Sequence, residues 1–422
     1  MLKQENTFRQ GAVIVATLFL TLGLLYGIWY AYSVFLVALV DYFGWSRSVT
    51  AGAMSVFILT HGIFGPFAGR LVEKFGPRYL MMIGAVVMAS GLLLTSQVTQ
   101  WWQLYITFGL ITALGLGACG WVPAVILTEQ WFPNKVGTAL GIVTAGIGVG
   151  MLVVVPLSNY LIENFNWRHA YQVLAAMVLI FILPAAFFVL REPDGHLVEV
   201  TDEAENTDSN EALVLSSRPH WTLTSAFASN SFRFAVLAFF FGGCLTQLLL
   251  MHQFAFMVDH GVAKTMGSII VGIIGVASIP GKIILGSLSD RIGRELAYSA
   301  GLFCILLSIG ALALIGTVPG LLMPFAFALL VGFGYAANAP IIPAAARDLF
   351  AGPKFPVIFG TMSMFAAMGG ATGSWLGGAL FDLSGNYKLM LMAAAGLAIL
   401  SPAMLWLAAP RAPQQPPHTS PN

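Results

Sequence analysis

Charge is what this sequence has least of. Of its 422 residues, 19 are Lys or Arg and 18 are Asp or Glu, 9% in all, where soluble globular proteins carry about 25%. A soluble chain of this length could not cover its surface with so few, so a soluble enzyme is excluded. The net charge of +1 leaves no basic face for nucleic acid. Cysteine is nearly absent too. Cys119, Cys244 and Cys304 stand singly in apolar stretches without C-x-x-C spacing, and they read as packing residues rather than redox or metal groups. No G-x-x-x-x-G-K-[ST] loop follows a strand, so ATP is not expected as energy source. The Gly-rich runs 137–150 and 369–378 are instead the small-residue surfaces along which membrane helices approach each other. No H-E-x-x-H or comparable cluster appears, and neither cofactor nor metal is expected.

What remains is hydrophobicity: 58% of residues are apolar and the mean hydropathy is +0.84. A helix needs about 20 mostly apolar residues to cross about 30 Å of hydrocarbon. Twelve such stretches are present, at 12–40, 49–72, 79–98, 101–128, 136–162, 168–190, 231–258, 266–289, 296–315, 319–346, 355–381 and 387–409. The first is longer than a signal-peptide core and lacks a cleavage site, so it reads as a retained span. One long polar interval, Arg191 to Asn230, holds eight of the 18 acidic residues and no apolar pattern able to support a fold. The expected organisation is an all-α membrane protein with an N-terminal six-helix bundle at 1–190 and an acidic cytoplasmic linker at 191–230. A C-terminal bundle at 231–410 and a disordered cytoplasmic tail at 411–422 complete it. Placing the N-terminus inside puts 14 of the 19 basic residues on the cytoplasmic side, four outside and Lys282 within a span. That asymmetry predicts a multi-pass protein of the inner (plasma) membrane with both termini cytoplasmic.

A repeat links the two halves. Gly69-Arg-Leu-Val-Glu73-Lys74-Phe-Gly76-Pro-Arg78 follows the second stretch, and Gly286-Ser-Leu-Ser-Asp290-Arg291-Ile-Gly293-Arg294 follows the eighth, 217 residues later. Each joins two helices by a very short turn carrying an acid, a base and a helix-breaking glycine. Here the sequence resembles the major facilitator superfamily, whose G-x-L-x-D-R-x-G-R loop lies after helix 2, often with a copy after helix 8. Glu73 stands in place of the usual Asp. The resemblance makes Gly69, Glu73, Lys74, Arg78, Gly286, Asp290, Arg291 and Arg294 the gating set. Glu73 and Asp290 are expected to cap or pair across the cytoplasmic side.

Shorter motifs narrow the resemblance. Phe43-Gly-Trp-Ser-Arg-Ser48, Trp131-Phe-Pro133 and Asn166-Trp-Arg168 are similar to outer-loop, WFP and GWR elements of the branch holding monocarboxylate transporters and oxalate/formate antiporters. Asn166 stands where that branch usually has Gly. His252, followed by Asp259 and Gly261, is similar to its helix 7 ending. The likeness covers roughly residues 12 to 409.

Lys282, in the eighth stretch, is the most informative residue. A lysine at the centre of a lipid-facing helix costs about 2.5–3.5 kcal/mol, which a cavity holding water and an anionic ligand would offset. Snorkelling to the headgroups, about 9 Å away by helix rise, is the other reading. The resemblance favours the cavity, because the branch usually carries a substrate-binding Arg at this position. Equally telling, no stretch has Asp or Glu in its middle third, as a cation carrier would require. The eleventh stretch has no Lys or Arg, where dianion exchangers of the branch place a second cation. One fixed positive charge matches a monoanion.

Other candidates to line a cavity follow from position. Tyr26, Trp29, Tyr30 and Ser33 recur on one face of the first stretch. Trp121, Tyr335 and Asn338 are polar or amphipathic groups at depth, and Ser278 lies one turn from Lys282 on its face. His252 and Gln253 could touch substrate; His252, with Asp259 and Asp41 at helix ends, could also carry protons. His61, mid-span, has no partner visible from sequence, and core packing is its preferred reading. The expected function is secondary active transport of a small organic monocarboxylate resembling lactate, pyruvate or formate. Alternating access by a monomer would proceed as proton symport or anion exchange, with protons and the lipid bilayer as the other partners. Efflux of a larger apolar anion is the alternative, and a solute receptor signalling through the linker a more distant one.

Overall fold

The computed structural model describes residues 2–132, 136–191, 221–352 and 354–408. Residues 192–220 of the acidic linker and the whole terminal tail at 411–422 lie outside these residues, and the described end of the linker carries a short helix, Leu223–Ala228. Twelve long apolar helices carry the rest: α1 (Leu2–Phe43), α2 (Arg47–Phe75), α3 (Pro77–Thr95), α4 (Trp101–Trp131), α5 (Val136–Asn164) and α6 (Trp167–Val189) form one half. The other half comprises α7 (Asn230–Asp259), α8 (Lys264–Ile292), α9 (Arg294–Ala313), α10 (Leu322–Phe350), α11 (Phe355–Ser384) and α12 (Lys388–Ala408). Each is long enough and apolar enough to span a bilayer. The twelve stretches expected from sequence are all present; α1 begins ten residues earlier than expected, at Leu2, and the other ends shift by four residues or fewer.

The turns explain the repeat. Gly76 between α2 and α3 has φ +80, and Gly293 between α8 and α9 has φ +96. Both corresponding turns therefore use a conformation that costs any residue with a Cβ. In each, Gly directly follows one helix and precedes the next, so the helices reverse with no residue to spare. Asn166, where the resemblance expects Gly, has φ +157. Its side-chain oxygen accepts from the His169 amide at 2.9 Å and caps α6.

Within the halves, α1 packs along α5, and α7 packs along α11 and α12. Between the halves, α2 meets α11 and α5 meets α8. The α5–α8 seam is backbone on backbone. A Cβ at Gly148 would lie 2.5 Å from the Gly275 carbonyl oxygen, and one at Gly275 would lie 2.6 Å from that of Gly148. Small residues here are a steric requirement. Two helices are interrupted: α4 at Gly120, with φ −95 and ψ −121, and α10 after Tyr335, where a turn at 336–337 separates Leu322–Tyr335 from Asn338–Phe350.

Candidate functional site

The two halves are closed at one end and parted at the other. At the end carrying Arg47, the Arg47 guanidinium of α2 pairs with Asp259 of α7 at 2.5 Å. It also lies 3.9 Å from the centroid of the Phe381 ring. The backbone N–H groups of Arg47 and Ser48 donate to the Asp382 carboxylate of α11 at 3.1 and 2.9 Å. Lys264 of α8 pairs with Asp41 of α1 at 3.0 Å, and the Thr265 hydroxyl donates to Glu163 of α5 at 3.2 Å. Every one of these contacts joins one half to the other.

Deeper, the seam stays tight and then opens. The Ser374 hydroxyl donates to the Ala51 carbonyl at 3.2 Å and that of Ser55 to Ala371 at 2.6 Å. A Cβ on Gly62 would lie 2.7 Å from that of Ala367. Beyond it, Cβ atoms at Gly65 and Gly69 of α2, at Gly360 of α11, or at Gly137 and Gly141 of α5 would meet nothing within 4 Å. The halves therefore separate toward the end carrying Asp290.

At the level where the seam opens lies a cavity of about 260 Å³. Trp29 and His61 line it from one half, and Thr246, Gln247 and Asn338 from the other. The indole of Trp29 meets the His61 ring edge-on at 5.2 Å and stacks with Tyr26 at 5.8 Å. Among the described residues its buried Nε1–H has no acceptor. Asn338 donates to the Thr246 hydroxyl at 3.1 Å, held there because α10 restarts at that residue. Close by, Tyr335 of α10 lies beside Ser278 of α8 and next to Tyr30 of α1 in the other half. Tyr30, His61, Ser278 and Tyr335 each sit about 20 Å from the Arg47 end of their helices by helix rise, so they share one depth.

Lys282 is half-buried on α8, one turn from Ser278 toward the open end. Among the described residues its ammonium has no carboxylate partner. The ion pairs are Arg47–Asp259, Lys264–Asp41, Arg294–Asp290 and Arg294–Asp348. Other candidates fall away from the cavity. His252 is fully buried between α7 and α11, with Nε2 2.8 Å from the Ser374 carbonyl, and a Cβ on Gly377 would collide with its ring. Gln253 donates to the Leu250 carbonyl of its own helix at 3.2 Å. Trp121 opens the second segment of α4 with 41% of its surface exposed. Asp259 and Asp41, candidates for proton transfer, are the acids of the end-closing ion pairs.

The gating set divides as well. Arg294 holds Asp290 at 2.5 Å and Asp348 of α10 at 2.9 Å, a clamp inside one half. Arg78 donates to the Ala186 and Phe187 carbonyls at the end of α6, at 3.1 and 2.5 Å. Lys74 lies 5.2 Å from the Phe75 ring centroid. Glu73 is exposed and has no ion pair among the described residues. The expected pairing across the halves is therefore absent in this conformation, because the halves are apart at that end.

A sequence model of the Major Facilitator Superfamily matches residues 18–328 and 253–422. The chain belongs to the Major Facilitator Superfamily. It is thus a multi-pass membrane protein of a transporter family, with twelve spans. This facilitator is 26% identical over 419 residues to monocarboxylate transporter 12 of Rattus norvegicus, covering 94% of this chain and 85% of that protein. To monocarboxylate transporter 2 of Homo sapiens it is 23% identical over 415 residues, covering 94% and 84%. Its fold matches a bacterial homolog of the human lysosomal transporter Spinster, in an inward-facing and occupied conformation, with a TM-score of 0.67 at 15% identity. That match covers 94% of each chain.

Proposed function

We propose that this facilitator carries a small organic monocarboxylate, of the size and charge of lactate, pyruvate or formate, across the plasma membrane by alternating access. The observation that carries the reading is Lys282. It is a cation well inside a span, without a carboxylate partner, close to the level at which the halves part. An uncompensated charge at that depth is costly, and an entering carboxylate offsets it. The mid-span regions offer no carboxylate to hold a cation. Likeness to several monocarboxylate transporters along most of the chain supports the same class. A cavity of about 260 Å³ suits a molecule of a few heavy atoms.

The basic residues concentrate at the end where the halves are apart, which supports cytoplasmic termini and an inward-open state. Alternating access would then open the Arg47 end by releasing its ion pairs. The remainder of the bundle rocks about the glycine contacts of α5 and α8 and the small-residue seam of α2 and α11. Uptake of labelled lactate, pyruvate, formate and acetate into proteoliposomes tests the reading. Saturable uptake of at least one acid, competed by the others and not by amines or sugars, is the expected result. No saturable uptake of any carboxylate in either direction would refute it.

A further inference from the structure

The carboxylate reading leaves the proton unassigned. Of the three groups the sequence suggests, Asp41 and Asp259 are tied into ion pairs at the closed end. His252 is packed between α7 and α11 against the Ser374 carbonyl. None of the three lines the central cavity. His61 does. Among the described residues it is the one ionisable side chain in that wall, half-buried. Its contacts are the edges of Trp29 at 5.2 Å and Tyr26 at 6.4 Å, and among the described residues neither ring nitrogen has a hydrogen-bond partner. A histidine serving only to pack would place a ring N–H on a neighbouring carbonyl, as His252 and His260 do here.

We propose that His61 is the proton-binding residue of the transport cycle: it takes a proton from the open end as the carboxylate enters and pairs with that anion from the α2 side. The inference rests on the carboxylate reading above. The groups facing His61 from each packed element are few and uncharged. Tyr26 and Trp29 come from α1, Thr246 and Gln247 from α7, Asn338 from α10, and Ala366 and Ala367 from α11. Nothing permanent therefore stabilises an imidazolium in the empty cavity, and nothing but the arriving anion neutralises it. Proton and carboxylate accordingly favour each other's binding, the condition for moving together.

Lys282 belongs to the C-terminal half, one turn from Ser278 toward the open end and outside the cavity wall, and His61 belongs to the N-terminal half and lines that wall. A carboxylate travelling from the open end to the cavity therefore passes the level of Lys282 before it reaches His61. The proton moves from bulk water to an imidazole nitrogen and leaves to water on the other side, with no bond to the substrate made or broken.

The test is net pyruvate uptake into proteoliposomes between pH 7.5 and 5.5, with protein-free liposomes subtracted and a trapped pH dye reporting proton entry. Exchange of labelled for unlabelled pyruvate at fixed pH is measured on the same vesicles. Wild-type net uptake should rise steeply as the pH falls across this range, because each carboxylate that enters must be accompanied by a proton drawn from the bulk. His61→Gln should lose that slope and the substrate-driven proton signal, while exchange continues with a raised half-saturation. His252→Gln should keep the slope. A His61→Gln protein with the wild-type pH slope and proton signal overturns the inference and leaves the carboxylate reading intact. Loss of exchange in both His61→Gln and His61→Asn also overturns it, since His61 would then serve binding or folding instead of coupling. Wild-type vesicles that take up no carboxylate at any pH overturn the carboxylate reading, and this inference with it.

Discussion

Asp382 at the end of α11 caps the first turn of α2: its two carboxylate oxygens accept from the backbone N–H groups of Arg47 and Ser48, at 3.1 and 2.9 Å. The bond is thus made to the unsatisfied amides of a helix N-terminus, where a negative charge is favoured by the helix dipole. Ser46 serves the same helix locally, accepting from Val49 at 3.2 Å. One half of the molecule therefore completes the helix cap of the other, and separating them at this end leaves that cap exposed.

Replacing Asp382 with Asn should weaken the closed end by about 1 kcal/mol, a typical worth for such a cap. The population open at the Arg47 end should rise about fivefold on that figure. Labelling of a single cysteine placed at Thr246, in a protein whose native cysteines are replaced, reads this directly. Faster labelling from the Arg47 side is expected, and an unchanged rate would remove the cap from the gate.

The ion pairs at the same end are partly exposed, so each should contribute about 0–1 kcal/mol. Asp259→Asn and Asp41→Asn should change turnover by no more than a few-fold and leave the pH profile of uptake as it was. High salt should reproduce part of the effect by screening. A flattened pH profile in either variant would return these acids to the proton route.

Arg294 joins α8 to α10 through Asp290 and Asp348, so this pair braces the C-terminal half as a rigid unit. Asp290→Asn should slow turnover more than it weakens substrate binding. Binding measured by tryptophan fluorescence and turnover measured on one preparation separate the two. Lost binding with normal turnover of bound substrate would contradict a bracing role.

How much of this was legible in sequence differs by scale. The twelve helices were, because a bilayer demands a run of apolar residues and nothing else in the chain satisfies it. Both short turns were legible too, since Gly76 and Gly293 sit where only glycine fits comfortably. Less plain were the breaks in α4 and α10, which a reading by hydropathy alone passes over. Pro123 and Pro340 have no N–H for the carbonyls of Cys119 and Ala336 four residues back, and the helices break there, at Gly120 and at Ala336–Ala337, which sets Tyr335 and Asn338 facing the cavity region. His61 was read as core because its surroundings are not visible in its own helix. Its significance comes from Trp29, Thr246 and Asn338, brought together from three other helices. Likewise Arg47 and Asp259 stand 212 residues apart, and neither announces the other. In sequence Asp259 stands as a lone helix-end acid, and only the structure shows that it pairs with Arg47.

The account turns on Lys282, and saturable carboxylate uptake by Lys282→Gln tests it most directly. Purified, folded Lys282→Gln protein in proteoliposomes should show no saturable uptake of pyruvate or lactate. Lys282→Arg should keep it with altered selectivity among acids, because the guanidinium preserves the charge while offering a fork of donors. Should Lys282→Gln transport these acids with the wild-type rate and half-saturation, the ammonium merely reaches the headgroups, and the carboxylate site lies elsewhere.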